Sequence, residues 1–157
     1  IKELAISLKK SLKTALQESG SIAAVEYCNI AALDITDGIS LSKGVILKRT
    51  SLKVRNNINI ASSWEINILN QFEKRKVLGE SIGSIDYQEV YFDSNNKPFF
   101  RYMKAIPTGE VCLTCHGSNI KASLQTRINE LYPDDKAYGF KIGDIRGAFF
   151  VQIPLSN

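Results

Sequence analysis

Two thiols, two spacer residues and an imidazole stand together at Cys112-Leu113-Thr114-Cys115-His116. Cysteines three positions apart lie on one turn of helix, where each sulfur can form a thioether with a porphyrin vinyl group. The imidazole of the next residue then lies beneath the iron. The spacing therefore predicts covalent attachment of one c-type haem through Cys112 and Cys115, with His116 as the proximal ligand. The competing chemistries of this motif are a redox pair and half a zinc site. The chain holds three cysteines and one histidine, so no second CxxC and no further histidine completes a zinc tetrahedron. Nor is a separate histidine left to activate a cysteine nucleophile.

The opposite face of the iron is the open question. With His116 the only histidine, paired-histidine ligation within one chain is excluded. The remaining donors are Cys28, Met103, a lysine or tyrosine, or none. Cys28 shares a helical face with Val25, Ala32 and Ile35, and the small residues Ala24, Ala31 and Ala32 would let a flat macrocycle approach the backbone. The same pattern also suits a free, buried cysteine behaving as a small hydrophobe. Met103 sits in a presumed strand shortly before the haem motif. Arg49, Arg55 and Arg146 are candidate partners for the haem propionates, because a guanidinium matches a carboxylate in bidentate geometry. A surface or capping role fits each of them as well. Tyr132, Tyr138 and Phe140 are read as core packing first and as haem walls second. Asp134 and Asp135 follow a proline and read as turn residues rather than a working carboxylate pair.

The elements that must position these groups read as helices first and strands later. Leu4, Ala5, Leu8, Leu12, Ala15 and Leu16 recur at helical spacing over residues 2 to 18, and Gly20 stands where that helix would stop. Ser21 can cap a second helix to about Ile35, after which Asp37-Gly38 and Lys43-Gly44 mark a loop. Residues 45 to 54 have the β-branched content of a strand. Ser62 followed by Glu65 is a capping-box pattern for a helix carrying Trp64, Ile68 and Phe72. Ile85 to Phe92 and Phe99 to Ile106 read as a hairpin across Asp93 to Pro98. A short helix through Ile120, Leu124, Ile128 and Leu131 stops near Tyr132-Pro133, and a closing strand spans Gly147 to Leu155. This order indicates an α+β domain rather than an all-helical cytochrome. One domain is expected over residues 1–157, with leading helices in 1–35 and the sheet and haem-binding region in 45–157.

Composition is consistent with a globular chain: 44% hydrophobic, 23% charged, net charge +4. Two propionates would offset about half of that charge. The lysines are scattered and no basic run interleaves with aromatics, which argues against nucleic acid as a partner. Apolar stretches fall far short of the ~20 residues needed to cross a bilayer. The first residue is Ile1 rather than Met, from which a removed signal peptide or membrane anchor is expected. Covalent haem attachment in turn implies a periplasmic or otherwise extracytoplasmic location.

The chain also resembles the PAS-like c-type haem domains with His/Cys axial ligation, which occur as small stand-alone cytochromes and as extracytoplasmic sensing modules. The resemblance covers nearly the whole chain. It is carried by Cys28-Asn29-Ile30-Ala31, Arg49 to Asn56, Trp64-Glu65, Cys112 to Gly117, Tyr132 to Phe140 and Gly143 to Ala148. It implies a PAS-like antiparallel sheet with long N-terminal helices, thioethers from Cys112 and Cys115, proximal His116 and distal Cys28. The family usually has a proline before the position of Trp64, and this chain lacks it.

A thiolate ligand favours ferric iron and weakens on reduction. The expected function is therefore that of a redox or diatomic-gas sensor: Cys28 leaves on reduction, carbon monoxide or nitric oxide binds, and a membrane-linked partner reads the change. The alternative is an electron-transfer cytochrome that keeps both ligands and exchanges electrons with a redox partner protein. With no distal histidine to act as acid or base, the chain is not expected to be an enzyme.

Overall fold

The computed structural model describes residues 1–155. Its first element, α1 (Lys2–Lys43), is a helical hairpin rather than one rod: Gly20 has φ 77° and ψ 179°, a conformation that glycine adopts without a Cβ penalty. The two arms return alongside each other, so that Lys43 pairs with Glu3 at 3.5 Å. Gly20 ends the first arm as its position predicts. Ser21 stands at the start of the second arm, which runs to Lys43 rather than stopping near Ile35.

The loop expected at Asp37-Gly38 is thus absent, and burial explains why. Ala32 and Thr36 are both buried, the Thr36 hydroxyl donates to the Ala32 carbonyl at 2.7 Å, and the Leu47 amide donates to Ser40 Oγ at 3.2 Å. That packing outweighs the roughly 1 kcal/mol that a glycine costs mid-helix. The actual stop is Gly44, left-handed at φ 63° and donating to the Leu41 carbonyl.

A four-stranded sheet follows, built from β1 (Ile46–Thr50), β2 (Asp86–Phe92), β3 (Pro98–Pro107) and β4 (Ile145–Pro154). Its order is β1-β4-β3-β2 and every pairing is antiparallel. β1 is shorter than the strand expected over 45–54, because the chain turns away after an isolated bridge from Ser51 to Ile60. The β2–β3 hairpin closes as expected, with Asn96 left-handed at φ 57° and Asp93 accepting from the Asn95 and Lys97 amides.

On one face of the sheet lies α2 (Ser63–Val77). Ser62 and Glu65 form the reciprocal capping box anticipated from their spacing. Ile68, Leu69 and Phe72 are almost fully buried against Met103, Ala105 and Phe150, and Trp64 meets Tyr87 and Phe150 edge-on at 6.1 and 6.0 Å. Strand alternation splits β1. Lys48 faces α2 and pairs with Glu65 at 2.9 Å, while Leu47 and Arg49 face the other way, toward α1.

A second core cluster lies outside the sheet, where Val25 of α1, Cys115 of α3 (Glu110–His116) and Leu124 and Ile128 of α4 (Ala122–Leu131) pack with Tyr132. Arg127 of α4 reaches Glu26 of α1 at 2.7 Å. The motif helix is therefore held between the second arm of α1 and α4. Among the described residues no helix is long and apolar enough to cross a membrane.

Candidate functional site

The motif lies on α3, which begins directly after β3, so the sheet fixes where the two cysteines and the histidine emerge. Cys115 is buried and Cys112 half-buried, and neither forms a disulfide. At its C-terminal end the helix is held by an irregular segment, residues 135–140, that crosses it like a strap. The Phe140 amide donates to the His116 carbonyl at 2.9 Å, and the Gly139 amide to the Gly117 carbonyl at 3.0 Å. His116 Nδ1 lies 2.7 Å from the Ala137 carbonyl oxygen. A carbonyl can only accept, so Nδ1 carries the proton and Nε2 bears the lone pair with which an imidazole ligates a metal.

Burial, followed by the charges of Arg146 and Arg55, holds the His116 imidazole well below its ordinary pKa. The ring is therefore neutral, as a metal ligand must be. Phe140 meets it edge-on with centroids 6.3 Å apart.

Cys28 reaches this site from the second arm of α1. Burial pushes its thiol pKa up, opposed by the nearby guanidiniums of Arg49 and Arg55. The Cys115 thiol is raised in the same way by burial, with Arg55 opposing and Cys28 adding to the rise. Cys28 and Cys115 are thus close enough to influence one another electrostatically, although they are 87 positions apart in the sequence. Tyr132, also raised by burial, feels Arg55, Cys28 and Arg49. Met103 lies elsewhere: it is fully buried in the cluster between α2 and the sheet, which removes it from the set of possible ligands.

All three arginines singled out in the sequence converge here. Arg146 Nη2 lies 3.5 Å from His116 Nε2, and its pKa is lowered to about 10, mainly by burial and then by the charge of Arg55. Burial likewise lowers Arg49. Among the described residues, Arg55 is the one of the three with an acidic partner, Asp135, at 3.0 Å. The Nε atoms of Arg49 and Arg55 are buried and have no hydrogen-bond partner among those residues. Three guanidiniums meeting one buried carboxylate leave a surplus of positive charge. Buried charge of this kind is costly unless compensated, so the site suits an anionic group with several acceptor oxygens.

Sequence reasoning missed Asp135. The Pro133-Asp134-Asp135 run reads locally as a turn, and Asp134 does lie in one, closed by the Asp135 amide donating to the Tyr132 carbonyl at 3.0 Å. Asp135 is instead the buried counter-ion of Arg55, and nothing local signals a partner 80 positions away. Of the aromatics, Tyr132 and Phe140 are buried against the site while Tyr138 is 55% exposed. Tyr138 therefore neither packs the core nor walls the pocket.

Among curated proteins none matches the chain. A solved structure that it resembles is the crystal structure of the cyanobacterial heme-protein Tll0287, with 27% identity, a TM-score of 0.63, and coverage of 81% of this chain and 71% of that one. The Tll0287-like family profile matches residues 2–154. A match of that extent spans α1, the whole sheet and the CxxCH helix together, and the chain belongs to the Tll0287-like family.

Proposed function

We propose that this chain is a haem protein in which Cys112 and Cys115 hold one c-type haem by thioethers, His116 ligates the iron, and Cys28 takes the opposite position. The observation that carries this reading is that the helix face of Val25 packs on Cys115, and Arg55 and Arg146 reach the Cys115 carbonyl and His116, with Asp135 the one carboxylate paired there among the described residues. The donor set fits the group. The neutral imidazole carries its lone pair on Nε2, and two propionates would supply the negative charge that the site's arginines, with one carboxylate among them, leave unmatched.

When bound, haem would supply a one-electron redox centre and affinity for diatomic ligands. This chain's residues would determine which of those uses prevails. Arg49 and Arg55 near Cys28 favour its thiolate form; burial favours the thiol. Between these opposing effects Cys28 could hold the metal as a thiolate or, protonated at Sγ, leave its place to carbon monoxide or nitric oxide. Cys28 is part of a long hairpin tied to α4 through Glu26 and Arg127, so its release would pull on an element that extends well away from the site. On this basis we favour a redox or gas sensor over an electron carrier, in which both ligands would stay. A PAS-like fold, supported by the antiparallel sheet with α2 on one face, and an extracytoplasmic location, where thioether attachment normally occurs, complete the proposal.

The test is a haem stain of the denatured protein, followed by absorption spectra in both redox states of wild type and Cys28→Ala. Stain that survives denaturation in wild type but not in Cys112→Ala/Cys115→Ala supports covalent attachment. A reduced Soret band unchanged by carbon monoxide would remove the gas-sensing part.

A further inference from the structure

Asp135 is 96% buried at its side chain and sits at the centre of a polar network that ends on the His116 imidazole. Arg55 Nη2 donates to Asp135 Oδ2 at 3.0 Å and to the Cys115 carbonyl at 2.6 Å, and lies 3.4 Å from the Ala137 carbonyl. The other carboxylate oxygen of Asp135 accepts from the Ala137 amide at 2.8 Å. Ala137, itself fully buried, presents its carbonyl to His116 Nδ1. One peptide unit away, the Lys136 amide is fixed to the Val54 carbonyl at 2.9 Å. The residue whose carbonyl orients the imidazole is therefore held through its own amide by a carboxylate, and an arginine ties that carboxylate to the backbone of the haem-motif helix.

We propose that Asp135 is a positioning residue for His116, acting with Arg55 through the Ala137 carbonyl to set the orientation and donor strength of the imidazole. This deepens the reading of His116 as an iron ligand and rests on it. Partners in the outer shell of a ligating histidine fix its tautomer and raise its basicity. A stronger hydrogen bond at Nδ1 makes Nε2 a better donor to the oxidised metal, and the negative charge of Asp135 acts in the same direction. Both effects lower the reduction potential.

The test uses the full-length haem-loaded protein. In Asp135→Asn the midpoint potential should move upward, and exchange of the His116 Nδ1 proton, followed by NMR, should quicken by about five- to tenfold, the factor that corresponds to losing roughly one hydrogen bond's net contribution. Asp135→Glu, which keeps the charge, should recover part of the shift in potential. Asp134→Asn, at the neighbouring carboxylate that bonds only Asn57, should leave both readouts unchanged. If Asp135→Asn does not fold, Arg55→Lys serves instead: it keeps the cation but loses the planar fork, and should raise the potential in the same direction. A merely structural role would lower the melting temperature without moving the potential, and that outcome overturns the proposal. Wild-type protein that carries no haem after denaturation would instead overturn the haem reading beneath it.

Discussion

Gly117, the residue immediately after the ligating histidine, offers a sharp test of the motif's packing. Its φ of −72° is open to any residue, so the requirement for glycine is steric and not conformational. A Cβ placed on Gly117 would lie 2.6 Å from the Leu113 carbonyl oxygen and 3.4 Å from the Leu113 carbonyl carbon and Cα. Comfortable carbon contacts are about 3.5–4.0 Å, and the obstruction is the backbone of α3 itself, which cannot rotate away. The same carbonyl accepts the Gly117 amide at 3.0 Å, so relief of the clash lengthens the bond that ends the helix. Forcing a methyl into so close a site costs about 1–3 kcal/mol. For a chain of this size each kcal/mol lowers Tm by roughly 2–4 °C, so Gly117→Ala should melt about 2–12 °C below wild type by circular dichroism. Gly109, at the other end of α3, is the internal control: a Cβ there meets nothing within 4 Å, and Gly109→Ala should stay within about 0.5 kcal/mol of wild type. Equal melting of the two variants would refute the close approach at Gly117.

Other predictions bear on charge and ligation. Removing a buried cation relieves a cost in haem-free protein and creates one when an anionic group is present. Arg146→Leu should accordingly raise Tm in a Cys112→Ala/Cys115→Ala background and lower it in the haem-loaded protein; a change of the same sign in both would contradict the assignment of Arg146 to an anionic partner. Ser62→Ala removes the cap of α2 and should cost about 1 kcal/mol, measured by urea unfolding. Tyr102, desolvated and hydrogen-bonded to Asp86 at 3.0 Å, has its pKa pushed up to about 12. Its phenol, protonated in the fold while a free tyrosine ionises, contributes stability that is complete below pH 10 and lost as pH rises through 12. Ultraviolet titration of wild type against Tyr102→Phe should show the missing group as the latest to ionise.

What the sequence made legible follows the range over which each signal acts. The capping box at Ser62 and Glu65 and the hairpin around Asp93 are local chemistry and form as their spacing predicts, and the CxxCH residues lie on one short helix. The second arm of α1 runs past Asp37-Gly38, a strong local turn signal, because burial of Ala32 and Thr36 against distant parts of the chain overrides it. At the site, Arg49, Arg55 and Arg146 were recognisable by type, and the structure gathers all three. Their division of labour was not legible: Arg55 is committed to Asp135 and the Cys115 carbonyl, whereas Arg49 and Arg146 have no acidic partner among the described residues. That distinction depends on contacts 60 to 95 residues apart, which no periodicity records.

The claim on which the account depends is that Cys28 and His116 share one iron. Electron paramagnetic resonance of the ferric protein, with and without the residue-28 side chain, measures it most directly. The account predicts a low-spin thiolate signal in wild type that disappears in Cys28→Ala while the thioether-bound haem remains. Identical spectra from the two proteins would contradict it.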